Sequence, residues 1–155
     1  MHHHGYLWAG PKERFDNEAL RRPAHPEPPP TGSSPELVQR YREVAAAFPT
    51  ADLPPLETAY WLVKPRDLVR GTWNEPKEAA AWLGERLAEY APRFAFEVDS
   101  NVARLISMVN STTARLDSGA DVSLGFYLER PSYLSLAMVT CSPNRSKPEL
   151  SCPVR

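Results

Sequence analysis

Two alternating segments near the C-terminal end limit the possible folds more than any other part of the chain. In the first segment, residues 122–129, the apolar positions are Val122, Leu124, Phe126 and Leu128. The second segment, YLSLAMVTC, begins at Tyr133 after Arg130-Pro-Ser. Alternation is the period of a strand with one buried face, so we expect a β-hairpin with a three-residue loop at 130–132.

The hydrophobic pattern also predicts the register of this hairpin. With residues 130–132 as the loop, Glu129 lies opposite Tyr133 and Leu128 lies opposite Leu134. The apolar residues of both strands then share one face, and a slip of one residue would mix them with polar residues. We expect the shared apolar face to belong to the core.

The other face of the hairpin carries small residues framed by Tyr127 and Tyr133. The small residues are Ser123, Gly125, Ser135 and Ala137. Such a face lets another backbone, a helix or a flat ligand approach closely, and the tyrosines offer stacking and hydroxyl groups. We therefore treat Ser123, Tyr127 and Tyr133 as ligand-binding candidates. The alternative is a solvated face, which is common in antiparallel sheets.

Three helices and two further strands complete the expected architecture. Helical spacing runs from the capping box Ser33–Glu36 to Pro49, from Asn74-Glu-Pro to Pro92, and from Asp99 or Ser100 to Ser118-Gly. Short strands are predicted at 56–63, LETAYWLV, and at 94–98. The predicted fold class is α+β, with about three helices packed on one face of a mainly antiparallel sheet of about four strands.

The first 34 residues show neither a helical nor a strand period, and prolines are frequent from Pro23 to Pro30. We interpret residues 1–34 as an extended Pro-rich arm, residues 35–142 as the α+β domain, and residues 143–155 as a Pro-rich C-terminal tail. The arm carries large apolar side chains that are costly to leave in water, and a polyproline path loses little entropy on docking. We expect these side chains to bind a partner or the domain itself; they are Tyr6, Leu7, Trp8 and Phe15.

The charge and hydropathy of the chain argue against two classes of partner. The formal net charge is −1, so no overall field attracts nucleic acid. No run approaches the roughly 18 apolar residues of a membrane span, and the N-terminus has no apolar signal segment. We expect a cytoplasmic protein that binds neither nucleic acid nor a membrane. The 14 Arg against 4 Lys are typical of a GC-rich bacterial genome.

The cysteines and histidines form no recognisable metal motif. Cys141 and Cys152 have no histidine near them in sequence, so their spacing is not that of a zinc site. Two reduced thiols are the expected state, with a disulfide as the alternative. His2–His4 directly follow Met1, as in an appended affinity tag, although His3 behind a free amine could hold copper(II) or nickel(II). We expect no metal and no cofactor.

A charged loop at 64–75 is another ligand-binding candidate. Arg66 and Arg70 could hold a carboxylate or phosphate beside Trp73, close to the start of the following helix. The alternative is an ordinary connection in which Asp67 pairs with a neighbouring arginine.

No catalytic motif is present. The chain has no GxSxG, HExxH or glycine-rich phosphate loop, and His25, outside the N-terminal run, lies among prolines. The sequence therefore favours a non-catalytic protein-binding or assembly subunit, homomeric or heteromeric, that could neutralise or regulate one partner. Its partner would be another protein or further copies of itself. The alternative is a small enzyme or accessory subunit that binds a small ligand on the face framed by Tyr127 and Tyr133.

Overall fold

The first residues of the chain form a central strand of a four-stranded antiparallel sheet. The computed structural model describes the whole chain, residues 1–155. Strand β1 (His2–Pro11) pairs along its entire length with β4 (Ser132–Cys141), and the sheet order is β2-β1-β4-β3. The edge strands are β2 (Gly71–Trp73) and β3 (Val122–Tyr127). The prediction that the N-terminus is an extended Pro-rich arm is therefore wrong.

The burial of β1 explains why its sequence shows no strand period. His2, His3, His4, Gly5 and Tyr6 are all buried, because β1 lies between two other strands and both of its faces are covered. A strand that is buried on both faces does not alternate between apolar and polar residues. The aromatic residues that looked like anchors of an arm are instead part of the sheet.

Two long helices cover one face of the sheet. They are α3 (Pro76–Tyr90) and α4 (Val102–Asp117), and both confirm helices predicted from spacing. The side chain of Asn101 caps α4 by accepting from the N–H of Arg104 at 3.1 Å, and Gly119, at φ +82°, follows its end. This left-handed conformation is one that glycine adopts without strain.

The remaining helices lie away from this face. A single turn, α1 (Lys12–Phe15), follows β1, and α2 (Pro35–Ala47) begins at Ser34, whose hydroxyl accepts from the N–H of Leu37. The cap is thus one residue beyond the predicted Ser33. No side chain within α2 is buried, and the helix packs beside the Pro-rich segment 23–30. Two of the three main helices, not all three, therefore cover the sheet.

The hairpin forms with its side chains on the predicted faces, but its register is shifted. Leu128 lies opposite Ser132, since its N–H donates to the Ser132 carbonyl, so the loop is 129–131 instead of 130–132. Tyr127 consequently pairs with Tyr133, and the predicted pairing of Glu129 with Tyr133 is wrong. A shift of the loop by one residue moves each pairing by two positions, which keeps every side chain on its predicted face.

The two other predicted strands are not strands. Residues 58–63 form a 3₁₀ helix, Thr58–Val63, whose Trp61 stacks on Tyr6 with ring centres 4.6 Å apart. Residues 94–96 form a bend, residues 97 and 98 begin the 3₁₀ helix Glu97–Ser100, and the ring of Phe94 stacks on that of Phe126 with centres 4.5 Å apart. In both places the aromatic residues that suggested β-structure cover a face of the sheet instead of extending it.

Two separate apolar clusters fill the two sides of the sheet. The larger cluster lies under α3 and α4; its buried members include Leu83, Leu87, Leu116, Phe126 and Leu136. The smaller cluster lies on the opposite face, under the 3₁₀ helix and the C-terminal tail; its members include Tyr6, Trp61, Leu62, Val139 and Cys141. The smaller cluster borders the site described next.

Candidate metal centre

Two histidines from β1 meet a cysteine from β4 at one end of the sheet. His2 lies directly opposite Cys141 in the ladder, and His4 follows two residues along β1 on the same face. The Nε2 atoms of His2 and His4 lie 3.3 and 3.2 Å from the Sγ of Cys141. Strand pairing alone therefore brings three possible metal ligands together.

The fourth side chain, Cys152, reaches the cluster from the C-terminal tail. Its Sγ lies 3.1 Å from the Nε2 of His2 and 3.6 Å from the Nε2 of His4. Leu150, two residues earlier, packs against the smaller apolar cluster. The tail thus lies on the sheet face from which His2 and His4 project.

A buried asparagine fixes the turn from which the tail returns. The side-chain amide of Asn144 donates to both carboxylate oxygens of Asp121 and to the Thr140 carbonyl, at 2.7 to 3.1 Å. The side-chain oxygen of Asn144 accepts from the N–H groups of Ser146 and Lys147, both at 3.0 Å. The Asn144 side chain therefore bonds two main-chain N–H groups of the turn and connects the turn to the end of β4.

The four donor atoms are spaced like the ligands of one metal ion. All four lie within 4.8 Å of one another, and neither cysteine is in a disulfide. With Zn–N of about 2.0 Å and Zn–S of about 2.3 Å, tetrahedral geometry separates a nitrogen and a sulfur ligand by about 3.5 Å. The four N···S distances, from 3.1 to 3.6 Å, are close to this separation.

A hydrogen bond outside the cluster orients the ring of His4. The Nδ1 of His4 lies 2.8 Å from the hydroxyl of Thr72 on β2, which directs its Nε2 towards the two sulfur atoms. Metal-binding histidines typically use their second ring nitrogen in this way. His3 projects from the opposite face, where its Nδ1 lies 2.8 Å from the hydroxyl of Thr140. His3 is therefore outside the cluster.

Burial favours the neutral form of each perturbed group in the cluster. Burial lowers the pKa of His4 to about 4, and the neighbouring His2 and His3 add to the effect. The pKa of His2 is lowered by burial and also by Arg155 and the N-terminal amine. Burial raises the pKa of Cys141 to about 11. The imidazoles are thus neutral, as a metal ion requires, whereas the thiols would release their protons to it.

One polar group of the smaller apolar cluster is left unsatisfied. The hydroxyl of Tyr6 is buried and has no hydrogen-bond partner. Its pKa is raised by burial and, to a smaller extent, by Cys141 and Cys152.

The residues predicted to bind a partner lie at the sheet. Tyr6 and Trp8 are buried on the face that carries the cluster, whereas Leu7 projects to the opposite face and packs against the larger apolar cluster. Phe15 follows in α1, with its ring centre 5.9 Å from that of Trp8 and 4.5 Å from that of Tyr133. Their role in partner binding stays a prediction.

The predicted tyrosine pair is present at the edge of the sheet. Tyr127 and Tyr133 are in edge contact, with ring centres 5.2 Å apart, and Tyr127 is exposed. The ammonium group of Lys12 lies 5.5 and 5.2 Å from these ring centres, which is cation–π distance. Ser123 is exposed farther along β3. The space over the rings is thus partly filled by a lysine of the same chain.

The predicted charged loop is divided between turn and strand. Arg66 begins a short 3₁₀ turn, Arg66–Leu68, and the N–H of Arg70 donates to the Gly5 carbonyl. Trp73 lies in β2 and packs against Trp82 of α3, with ring centres 5.5 Å apart. Arg66 and Arg70 are exposed.

Comparison with family models, with curated proteins and with solved structures finds no match for this chain. No helix of the structure has the length and apolar character needed to cross a membrane.

Sequence spacing did not reveal the cluster, because its ligands come from the two ends of the chain. Zinc motifs are recognised by ligands a few residues apart, whereas His2 and Cys152 are separated by 150 positions. The available signal was the i, i+2 spacing of His2 and His4, which places both on one face of a strand. That signal has meaning only once the N-terminus is known to be a strand.

Proposed function

We propose that this chain is a zinc-binding protein, with one Zn²⁺ held by His2, His4, Cys141 and Cys152. The observation that carries the proposal is the convergence of two imidazole nitrogens and two sulfur atoms at tetrahedral spacing. Thiolate and imidazole ligands in this geometry favour zinc over cations that prefer oxygen ligands, such as Mg²⁺ and Ca²⁺.

The role proposed for the metal is structural. Four protein ligands complete a tetrahedral shell and leave no position for a substrate, whereas catalytic zinc sites keep one position open. The ion would join the C-terminal tail to the sheet, because Cys152 has no other covalent or ladder connection to β1. Such an ion contributes its binding free energy to folding.

Metal analysis of an untagged chain tests this proposal. We expect one zinc per chain after gel filtration, and on cobalt(II) substitution the visible and thiolate charge-transfer bands of a tetrahedral site with sulfur ligands. Cys152→Ser and His4→Ala should lose the metal, while His25→Ala, which changes an exposed histidine, should keep it. Cobalt binding without thiolate bands would show histidine-only binding and contradict the proposal.

We further propose that the folded chain acts as a non-catalytic protein-binding or assembly subunit. Support comes from exposed apolar side chains between residues 96 and 106: Phe96, Val98, Val102 and Ile106 are 55 to 70% exposed. Val102 and Ile106 border a groove of about 350 Å³ between α3 and α4, lined mainly by apolar residues. Exposed apolar side chains grouped in this way often mark interaction surfaces.

Light scattering tests the homomeric form of this second proposal. If copies associate through α4, Val102→Ser combined with Ile106→Ser should convert an oligomer to a monomer. Leu20→Ser combined with Leu37→Ser removes two apolar side chains that are 46 and 50% exposed elsewhere on the surface and should leave the mass unchanged. A wild-type monomer would exclude the homomeric form, and the heteromeric form would be tested through the surface described next.

A further inference from the structure

The longer free edge of the sheet lies along β3. The opposite edge strand, β2, has three residues, whereas β3 has six. Leu128 is bonded to β4 through Ser132, so alternation directs the main-chain groups of the odd-numbered residues outwards. At the ends of this edge, the Tyr127 carbonyl accepts from the N–H of Ala95, and the Asp121 carbonyl accepts from Arg115.

Between these ends, the outward main-chain groups of Ser123 and Gly125 have no protein partner. Neither residue has a bulky side chain, so another backbone can approach the strand closely. Unpaired edge groups of this kind are the usual template for an added strand.

The groove beside this edge is basic. It has a volume of about 380 Å³ and lies between α4 and β3; its polar lining consists of Arg104, Ser107, Ser111, Thr112, Arg115 and Ser123. No carboxylate lines it. Arg115 makes no ion pair, and Arg104 has only a 3.7 Å contact with Asp99. In a chain of net charge −1, two exposed arginines beside a free strand edge form a local positive site.

We propose that the β3 edge binds an acidic, extended segment of another protein, which adds to the sheet as a fifth strand. This inference rests on the proposed protein-binding role and names its partner chemistry. Main-chain bonds to Ser123 and Gly125 hold the segment, and its carboxylates pair with Arg104 and Arg115. The two arginines are about 16 Å apart along the helix axis, so acidic residues four or six positions apart on one strand face match them.

A second copy of this chain is a poor occupant of the same edge. Two-fold antiparallel pairing of β3 with its symmetry mate would bring Arg104 of each copy towards Arg115 of the other. The groove residues offer no carboxylate to compensate these charges. Charge complementarity therefore favours an acidic partner over self-association.

Fluorescence anisotropy with a defined peptide tests the inference on the zinc-loaded full chain. The probe is a labelled peptide of alternating glutamate and valine, compared with a lysine–valine peptide and with the glutamate peptide N-methylated at alternate residues. We expect only the unmethylated acidic peptide to bind. Arg104→Gln combined with Arg115→Gln should weaken its binding about tenfold or more. Arg40→Gln combined with Arg42→Gln, an equal charge change on α2, should leave its affinity unchanged.

A proline variant tests the role of the strand edge independently of charge. The N–H of Ser123 faces away from β4, so Ser123→Pro removes an outward donor without removing a ladder bond. We expect loss of peptide binding with zinc content and thermal unfolding retained. Equal binding of the N-methylated peptide, or unchanged binding by either the double arginine variant or Ser123→Pro, would overturn the inference. So would a dimer that Ser123→Pro dissociates.

Zinc content measured on the same samples distinguishes failure of the zinc proposal from failure of the edge-strand inference. One zinc per chain with no peptide binding refutes the edge-strand inference alone. Peptide binding without thiolate-bound metal refutes the zinc proposal alone. A dimer that dissociates on Val102→Ser combined with Ile106→Ser, and that does not bind the peptide, would support the subunit role. It would refute only the partner proposed for the β3 edge.

Discussion

The two faces of the sheet are covered by different kinds of structure. On one face, α3 and α4 bury a cluster of 10 residues, largely aliphatic side chains in regular elements. On the other, a 3₁₀ helix and the C-terminal tail bury a cluster of 6, beside the two histidines and two cysteines. The helical cover, which is α3 and α4, packs on the sheet through a continuous apolar interface. The second cover, which is the 3₁₀ helix Thr58–Val63 and the C-terminal tail, consists of short segments that need other connections to stay in place.

This difference suggests that the two covers are held on the sheet by different interactions. Apolar burial is sufficient to hold two amphipathic helices on a sheet, since each buried aliphatic side chain contributes roughly 1.5 to 3 kcal/mol. A tail without regular structure buries little and loses much conformational entropy on ordering. A metal ion that links the tail to β1 would offset that loss. Substitutions on one face and metal removal on the other test whether the two covers are independent.

The largest effect is expected from a cavity under the helices. Leu83 is fully buried in the larger cluster, so Leu83→Ala should lower the free energy of unfolding by up to about 5 kcal/mol. Leu37→Ala, on the exposed side of α2, should cost only about 0.5 kcal/mol. Denaturant titration of zinc-loaded protein measures both. If Leu83→Ala also removed the zinc from the folded protein, the two covers would not be independent.

Metal removal should act mainly on the second face. At free zinc about 1,000-fold above the dissociation constant, a site present only in the folded state adds about 4 kcal/mol, which a chelator removes. Hydrogen exchange should then accelerate at residues 2–8 and 142–155, while α3 and α4 keep their protection. Uniform acceleration across the chain would mean that zinc stabilises the whole fold and would contradict the comparison.

The sequence was most informative where a regular element has one buried and one exposed face. The helices at Pro76–Tyr90 and Val102–Asp117 and the alternating strand Val122–Tyr127 were predicted, because the period of the element is visible in its residues. Strand β1 was not predicted, since a strand that is buried on both faces has no alternation to detect. The 3₁₀ helix Thr58–Val63 was mistaken for a strand, because its aromatic residues are favoured in strands as well.

The candidate site depends on the parts of the fold that the sequence did not predict. Cys141 lies at the end of a predicted strand, but His2 and His4 belong to the missed strand and Cys152 to an irregular tail. Their proximity follows from strand pairing and from the turn held by Asn144, both of which are long-range contacts. Periodicity describes only neighbours in sequence, so no local pattern could have brought these four side chains together.

The polar contacts of the second cover should give it a pH dependence. Lys64 is buried at the end of the 3₁₀ helix, and its ammonium group donates to the Phe48 carbonyl at 2.7 Å. Burial lowers its pKa to about 8 from 10.5, and Asp52 opposes this only in part. Between these values Lys64 holds more protons in the unfolded chain than in the folded one. The contribution of Lys64 to stability should therefore rise as pH increases from about 8 to about 10.5, and its full penalty applies below pH 8.

Comparison with Lys64→Met measures this contribution. A shift of this size corresponds to about 3 kcal/mol across the interval, and the variant should lose that part of the pH dependence. The measurement is the free energy of unfolding of zinc-loaded protein at pH 7 and pH 10. A matched change at the exposed Lys77 should leave the wild-type pH dependence intact. Equal slopes for wild type and Lys64→Met would refute the prediction.

The smallest effect tests whether the turn before the tail supports the metal centre. Asn144→Ala leaves the Thr140 carbonyl without its donor and the half-buried carboxylate of Asp121 with only the N–H of Thr140, which should cost about 2 kcal/mol. Zinc affinity, measured by competition with a chelating dye, should fall as well, because the turn fixes the path of the tail that carries Cys152. Asn110→Ala removes an exposed amide and should change neither quantity. Lower stability with unchanged zinc affinity would mean that the tail is positioned by Leu150 and the metal alone, and that Asn144 serves only the end of β4.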